Sequence, residues 1–167
     1  MSHSEHKAQA QKKICCAVIT CSDSRTHDSD MSGKTIMQLL EREEHLLDNY
    51  QIVKDEPSLI RSALEDILQL PTMQAVIITG GTGISKRDST YETIISLLEK
   101  RLDGFGELFR VLSYEQIGSA AIMSRAPAGI ARGKVVFSIP GSQKAVSLAM
   151  EKLILPELPH IVSEINR

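Results

Sequence analysis

The segment Thr79-Gly80-Gly81-Thr82-Gly83 carries the residue types of this chain best suited to holding an anion. Its glycines let the backbone take positive φ and approach a ligand closely, its amides can cradle a phosphate, and the Thr82 hydroxyl adds a donor. Arg87-Asp88 follows shortly after, bringing a guanidinium suited to phosphate and a carboxylate suited to Mg²⁺. Taken alone, the turn equally suits a tight connection after a buried strand, and Asp88 a helix N-cap. It is not a dinucleotide fingerprint, because Gly-x-Gly-x-x-Gly does not occur there, nor a P-loop, because no Gly-Lys-Ser/Thr closes it.

Three further polar segments follow β-type runs: Ser22-Asp23-Ser24-Arg25, Asp55-Glu56 and Pro140-Gly141-Ser142. In an open parallel sheet, ligands collect beyond the carboxyl ends of the strands, so all four segments are expected at one edge. There Asp55 and Asp88 could hold a metal bridging phosphates. Ser22 and its neighbours could close the same pocket or serve only as turn residues. Ser142 reads as an N-cap, with Pro140-Gly141 shaping a pocket wall. The histidines lie in unrelated segments, and no Ser-His-Asp or Cys-His arrangement follows from spacing, which argues against zinc and covalent catalysis.

The elements that must position these residues read as an alternation of short strands and helices, implying βαβ crossovers and a largely parallel sheet covered on both faces. Strands are expected over Ile14 to Thr20, Tyr50 to Lys54, Gln74 to Thr79 and Lys134 to Ile139, with a short one around Ala128 to Ala131. A helical stripe of Ile36, Leu39, Leu40, Leu46 and Leu47 starts near Thr35, and a second helix follows Asp55-Glu56-Pro57. Ser89 to Glu92 has the spacing of a capping box. Phe105 and Phe109 fall one helical turn apart and read as core or subunit-contact residues. The last helix is expected over Val146 to Leu155, with Pro156 and Pro159 punctuating the rest.

A chain of 167 residues, 42% hydrophobic and 24% charged, fits one domain over residues 14–167 behind a polar, disordered tail over 1–13. A formal net charge of −2 gives no electrostatic reason to bind nucleic acid or an anionic membrane. No apolar run approaches the ~20 residues of a membrane span, and no secretory signal is evident, so a cytoplasmic location is expected. Cys15, Cys16 and Cys21 sit in one apolar stretch and read as thiols packing like small hydrophobes.

From Ile14 to Glu164 the ordered set of motifs resembles the MoaB/Mog family of molybdopterin-binding proteins. The resemblance is carried by Ser22-Asp23-Ser24-Arg25-Thr26, Ile52 to Glu56, Thr79 to Gly83 with Arg87-Asp88, Gly104 to Arg110, Leu112-Ser113-Tyr114, Ile117-Gly118, Ser124-Arg125-Ala126 and Ser138 to Ser142. It implies a three-layer α/β/α fold with a mainly parallel sheet, assembled as a homo-oligomer, either a trimer or a hexamer. It implies adenylylation of molybdopterin by Mg-ATP, or a non-catalytic molybdopterin-binding or carrier role in the same pathway. Carried over by motif, Asp55 and Asp88 become the catalytic and Mg²⁺-binding carboxylates. By the same match Gly80, Gly81, Thr82, Gly83 and Ser124 hold a phosphate, while Ser22, Pro140, Gly141 and Ser142 line the pterin or nucleotide pocket.

Overall fold

A computed structural model describes residues 13–167; the expected tail thus lies, save Lys13, outside the described residues. In chain order the elements are β1 (Cys15–Cys21), α1 (Met31–Arg42), β2 (Leu46–Val53), α2 (Pro57–Leu68), β3 (Ala75–Thr79), α3 (Thr90–Leu97), β4 (Lys100–Arg101), α4 (Asp103–Ile117), β5 (Ala128–Ala131), β6 (Lys134–Ile139), α5 (Gln143–Ala149) and α6 (Leu155–Ile165). The sheet order is β2-β1-β3-β6-β5-β4. The pairs β2·β1, β1·β3 and β3·β6 are parallel, and β5 joins β6 and β4 antiparallel.

The near-continuous apolar runs of β1, β3 and β6 follow from burial on both faces, which removes any need for a polar alternate. Cys16, Val18, Ala75, Ile77, Val135 and Phe137 pack on one side with residues of α1, α4, α5 and α6. Ala17, Ile19, Val76, Ile78 and Val136 pack on the other with Ile60, Leu64 and Ile67 of α2 and Ile94 of α3. The result is the expected α/β fold of three layers. Leu64 is fully buried, so its truncation to alanine would cost about 2–5 kcal/mol. Phe109 is buried, and Phe105 packs beside it and against Phe137, at 6.5 and 5.2 Å between ring centroids. Both serve the core.

Several expected boundaries move. Leu46 and Leu47 belong to β2 rather than to the first helix, which ends at Arg42. The chain reverses at Glu44, whose φ is 61°. The leucines keep helical spacing by coincidence, because as part of an edge strand they remain exposed. α1 starts at Met31 because Asp30 caps it, accepting the Gly33 N–H at 2.9 Å. The last helical segment begins at Gln143, and neither Pro156 nor Pro159 stops it. A π turn over Met150–Ile154 widens the helix there, and Leu155 N–H reaches Met150 O. Pro156 follows this π turn directly, where the helical hydrogen-bond ladder is already shifted by one residue.

Chain order places a topological switch between β1 and β3: after β1 the chain crosses to β2 on one side, and after α2 to β3 on the other. The helix after β1 packs on one face of the sheet and the helix after β3 on the opposite face. The loops beyond these two strand ends therefore diverge and leave a crevice.

Candidate functional site

The glycine turn leaves β3 at that crevice. Gly80 and Gly81 have φ of 98° and 64°, in the left-handed region open to glycine at little cost. Gly80 N–H donates to Ile139 O at 3.0 Å and Thr90 N–H to Gly81 O at 3.0 Å. Between these anchors, the N–H groups of Gly81, Thr82, Gly83 and Ile84 find no acceptor among the described residues.

Arg125 explains how the turn stays open. Its Nε donates to Thr82 O at 3.0 Å, one terminal nitrogen donates to Gly83 O, and the other pairs with Glu92. In a trans peptide the carbonyl and the following N–H point in opposite directions. Holding the carbonyls of Thr82 and Gly83 from one side therefore turns the Gly83 and Ile84 amides away from Arg125. The guanidinium is itself seated over the Tyr91 ring, 4.5 Å from its centroid. Its hydrogen bond holds the Glu92 carboxyl below its ordinary pKa.

A cavity of about 360 Å³ opens beside the turn. Gly80 to Gly83 form one wall, Pro140 and Gly141 a second, and Arg25, Asp88, Ser124 and Arg125 the rest of the polar lining. The Pro140 wall is tied down at several points. Thr79 Oγ1 donates to Pro140 O at 3.2 Å, and Ser32 Oγ to Gly141 O at 2.6 Å. Arg25 reaches the same carbonyl at 3.5 Å.

The remaining expected site residues stand outside this lining. Ser22 Oγ accepts the Arg25 and Ser24 amides at 3.1 and 3.3 Å, shaping its own loop. Ser142 caps α5, accepting Ala145 N–H at 3.2 Å. Asp55 lies behind the turn, where its Oδ1 accepts the Ser89 hydroxyl at 2.9 Å and the Ser89 N–H at 3.3 Å. Ser89 does precede α3, but its hydroxyl is spent on Asp55 and makes no cap hydrogen bond, so the expected capping box does not form. Asp88 Oδ2 accepts the Ser85 hydroxyl at 2.6 Å and the Ser85 N–H at 3.0 Å. Asp23 pairs with Arg87, whose hydrogen bond draws the carboxyl down, and accepts the Asp55 N–H at 3.2 Å.

Beneath the crevice a buried acid supports the loops. Asp30 is fully buried. Its Oδ2 accepts Thr20 Oγ1 and Tyr50 Oη, each at 2.6 Å. Burial pushes its pKa up, but the hydrogen bonds from Thr20, Tyr50 and Gly33 outweigh burial and leave it below the usual carboxylate range. Neither Asp30 nor Arg125 was assigned a role from sequence. The Asp30 partners are 10 and 20 residues away, while Arg125 meets backbone carbonyls, which leave no mark on sequence.

Asp88 Oδ1 accepts no hydrogen bond from the described residues, which leaves it open to a cation. Among those residues no group of three or more His, Cys, Asp or Glu side chains could hold a metal unaided. The donor set fits Mg²⁺, which is usually bound by one or two carboxylates together with substrate phosphates. Cys21, at the same edge, is buried, and burial pushes its thiol up to about 12. A thiolate nucleophile is therefore not what this site offers.

A family model described as "Probable molybdopterin binding domain" matches residues 17–160. The chain is 53% identical over 169 residues to molybdenum cofactor biosynthesis protein B of Bacillus subtilis, with 100% of this chain and 99% of the relative covered. A crystal structure of a molybdenum cofactor biosynthesis protein B superposes with a TM-score of 0.92 at 49% identity, covering 95% of this chain and 99% of that one. The tungsten cofactor synthesizing protein MoaB from Pyrococcus furiosus gives 0.85 at 38% identity, with 95% and 100% covered. No described helix is long and apolar enough to cross a membrane.

Proposed function

The chain belongs to the molybdopterin-binding domain family, and on that premise we propose that it acts in molybdenum cofactor biosynthesis by adenylylating molybdopterin with Mg-ATP. The carrying observation is the run of unpaired amides from Gly81 to Ile84, those of Gly83 and Ile84 turned away from the Arg125 brace, in a turn that shares a cavity lining with Asp88. A run of free backbone donors in a glycine turn suits a phosphate.

In the proposed reaction an oxygen of the terminal phosphate of molybdopterin attacks the α-phosphorus of ATP. The bond from that phosphorus to the bridging oxygen breaks, and pyrophosphate leaves with the electron pair. Such transfer asks for alignment and charge neutralisation rather than a protein nucleophile. The glycine turn holds a phosphate by its amides, and Ser124 and the Pro140-Gly141 wall bound the space in which the second substrate lies. Asp88 Oδ1 is the protein oxygen offered to Mg²⁺, which when bound offsets the phosphate charges.

A homo-oligomer belongs to the same proposal. Leu108 and Val111 of α4, with Ile122 and Met123 beyond it, are between 51% and 85% exposed, an apolar surface suited to a second copy. Met123 also lines the cavity, so a copy seated there would border the site.

Purified protein given molybdopterin and Mg-ATP should release pyrophosphate, and Asp88→Asn should slow release by roughly a hundredfold or more. A wild type that binds both ligands and releases none would refute adenylyl transfer in favour of a carrier role.

A further inference from the structure

Asp55 and Asp88 flank the same turn, Asp55 against Gly81 and Asp88 against Gly83. Asp88 lines the cavity and Asp55 does not. A Cβ added at Gly81 would lie 2.5 Å from Asp55 Oδ2 and closer still to Thr90 Oγ1. The glycine hydrogen that replaces it thus points at both oxygens, a pair of weak C–H···O contacts. Thr90 is fully buried, and apart from the neighbouring Cys21 thiol its hydroxyl meets no other polar side chain. The other Asp55 oxygen is taken by Ser89, and its own N–H by Asp23. One residue thereby ties together the loop after β1, the glycine turn and the start of α3.

We propose, building on the phosphate-site reading above, that Asp55 is a positioning residue that fixes the shape of the glycine turn, while Asp88 alone meets the cation. Asp55 acts through geometry. Asparagine, which can still accept from Ser89, should replace it well. Alanine should not. Asp88 acts through its charge, which asparagine lacks.

Two measurements on the full chain separate these roles. The first is Mn²⁺ binding in the presence of ATP, followed by electron paramagnetic resonance. Asp88→Asn should weaken it by about tenfold or more and Asp55→Asn by no more than about threefold, whereas Asp55→Ala should weaken ATP binding about tenfold with or without Mn²⁺. The second is amide hydrogen exchange without ligand. Asp55→Ala should speed exchange at Thr90 N–H, which is bonded to Gly81 O, by about tenfold, and Asp55→Asn should restore it.

Loss of Mn²⁺ binding in Asp55→Asn equal to that in Asp88→Asn would overturn the assignment. So would unchanged exchange at Thr90 in Asp55→Ala. A wild type that binds no ATP would instead refute the phosphate site itself, and exchange would then decide the Asp55 assignment alone.

Discussion

At the N-terminal ends of the strands, backbone donors are matched by nearby acceptors. Ile14 N–H donates to His45 Nδ1 at 3.2 Å, Cys15 N–H to Gln74 Oε1 at 3.0 Å, Leu46 N–H to Ile14 O at 2.9 Å and Val135 N–H to Gln74 O at 3.2 Å. At the C-terminal ends of the same sheet, the amides of Gly81 to Ile84 find no acceptor among the described residues, although Arg125 holds the carbonyls of Thr82 and Gly83. Both ends have to terminate parallel strands, so topology does not account for the difference. Backbone donors left without a protein acceptor are open to a ligand or to solvent, and the phosphate proposal rests on that contrast between the two ends.

Two glycines of positive φ, one at each end, offer the sharpest way to break this contrast. Gly81→Ala meets both left-handed strain and the Asp55 and Thr90 oxygens. It should weaken ATP binding, measured by calorimetry, by roughly a hundredfold or more. Gly133→Ala keeps the strain, φ 72°, but its Cβ would meet open space. It should cost about 1 kcal/mol in urea unfolding and leave ATP binding unchanged. Equal effects on binding would erase the contrast.

Asp30 is the satisfied counterpart of the open turn above it. Asp30→Ala would leave the hydroxyls of Thr20 and Tyr50 without their acceptor and α1 without its cap. A loss of about 2 kcal/mol is expected in chemical denaturation.

His45 tests the opposite end by pH. Its ring must be neutral at Nδ1 to accept the Ile14 N–H, and burial lowers its pKa. With a folded value below the ordinary ~6.5, its contribution is full above that pH. It is lost as pH falls through the folded value, because the unfolded chain then binds more protons. His45→Gln should reduce the slope of stability against pH below 6.5; an unaltered slope would refute the tautomer assignment.

A similarly small effect is expected at Ser142, an exposed cap. Ser142→Ala should cost about 1 kcal/mol and leave ligand binding intact, separating it from the cavity wall formed by Pro140 and Gly141.

The interior strands were legible because burial on both faces writes an unbroken apolar run; β6 has its expected bounds, Lys134–Ile139. The edges were not. β4 spans two exposed residues, too short for any period, and Leu46 and Leu47 continued a helical spacing in a strand. At the candidate site, the glycine turn, Asp88 and the Pro140-Gly141 wall follow from residue type and Ser124 from the family resemblance, and all line one cavity. The brace was not picked out, because Arg125 acts on carbonyls 42 and 43 residues away. The unequal placement of Asp55 and Asp88 was hidden for a related reason, since spacing reports which edge of the sheet a side chain reaches but not whether it lines the cavity there.

The central claim, that the glycine turn is a phosphate site, is tested most directly by titrating isotope-labelled protein with Mg-ATP and following backbone amide resonances. Gly81, Thr82, Gly83 and Ile84 should shift most, while Ile14, Cys15 and Gly133 at the other end stay in place. Saturable shifts elsewhere with none in the turn would contradict it.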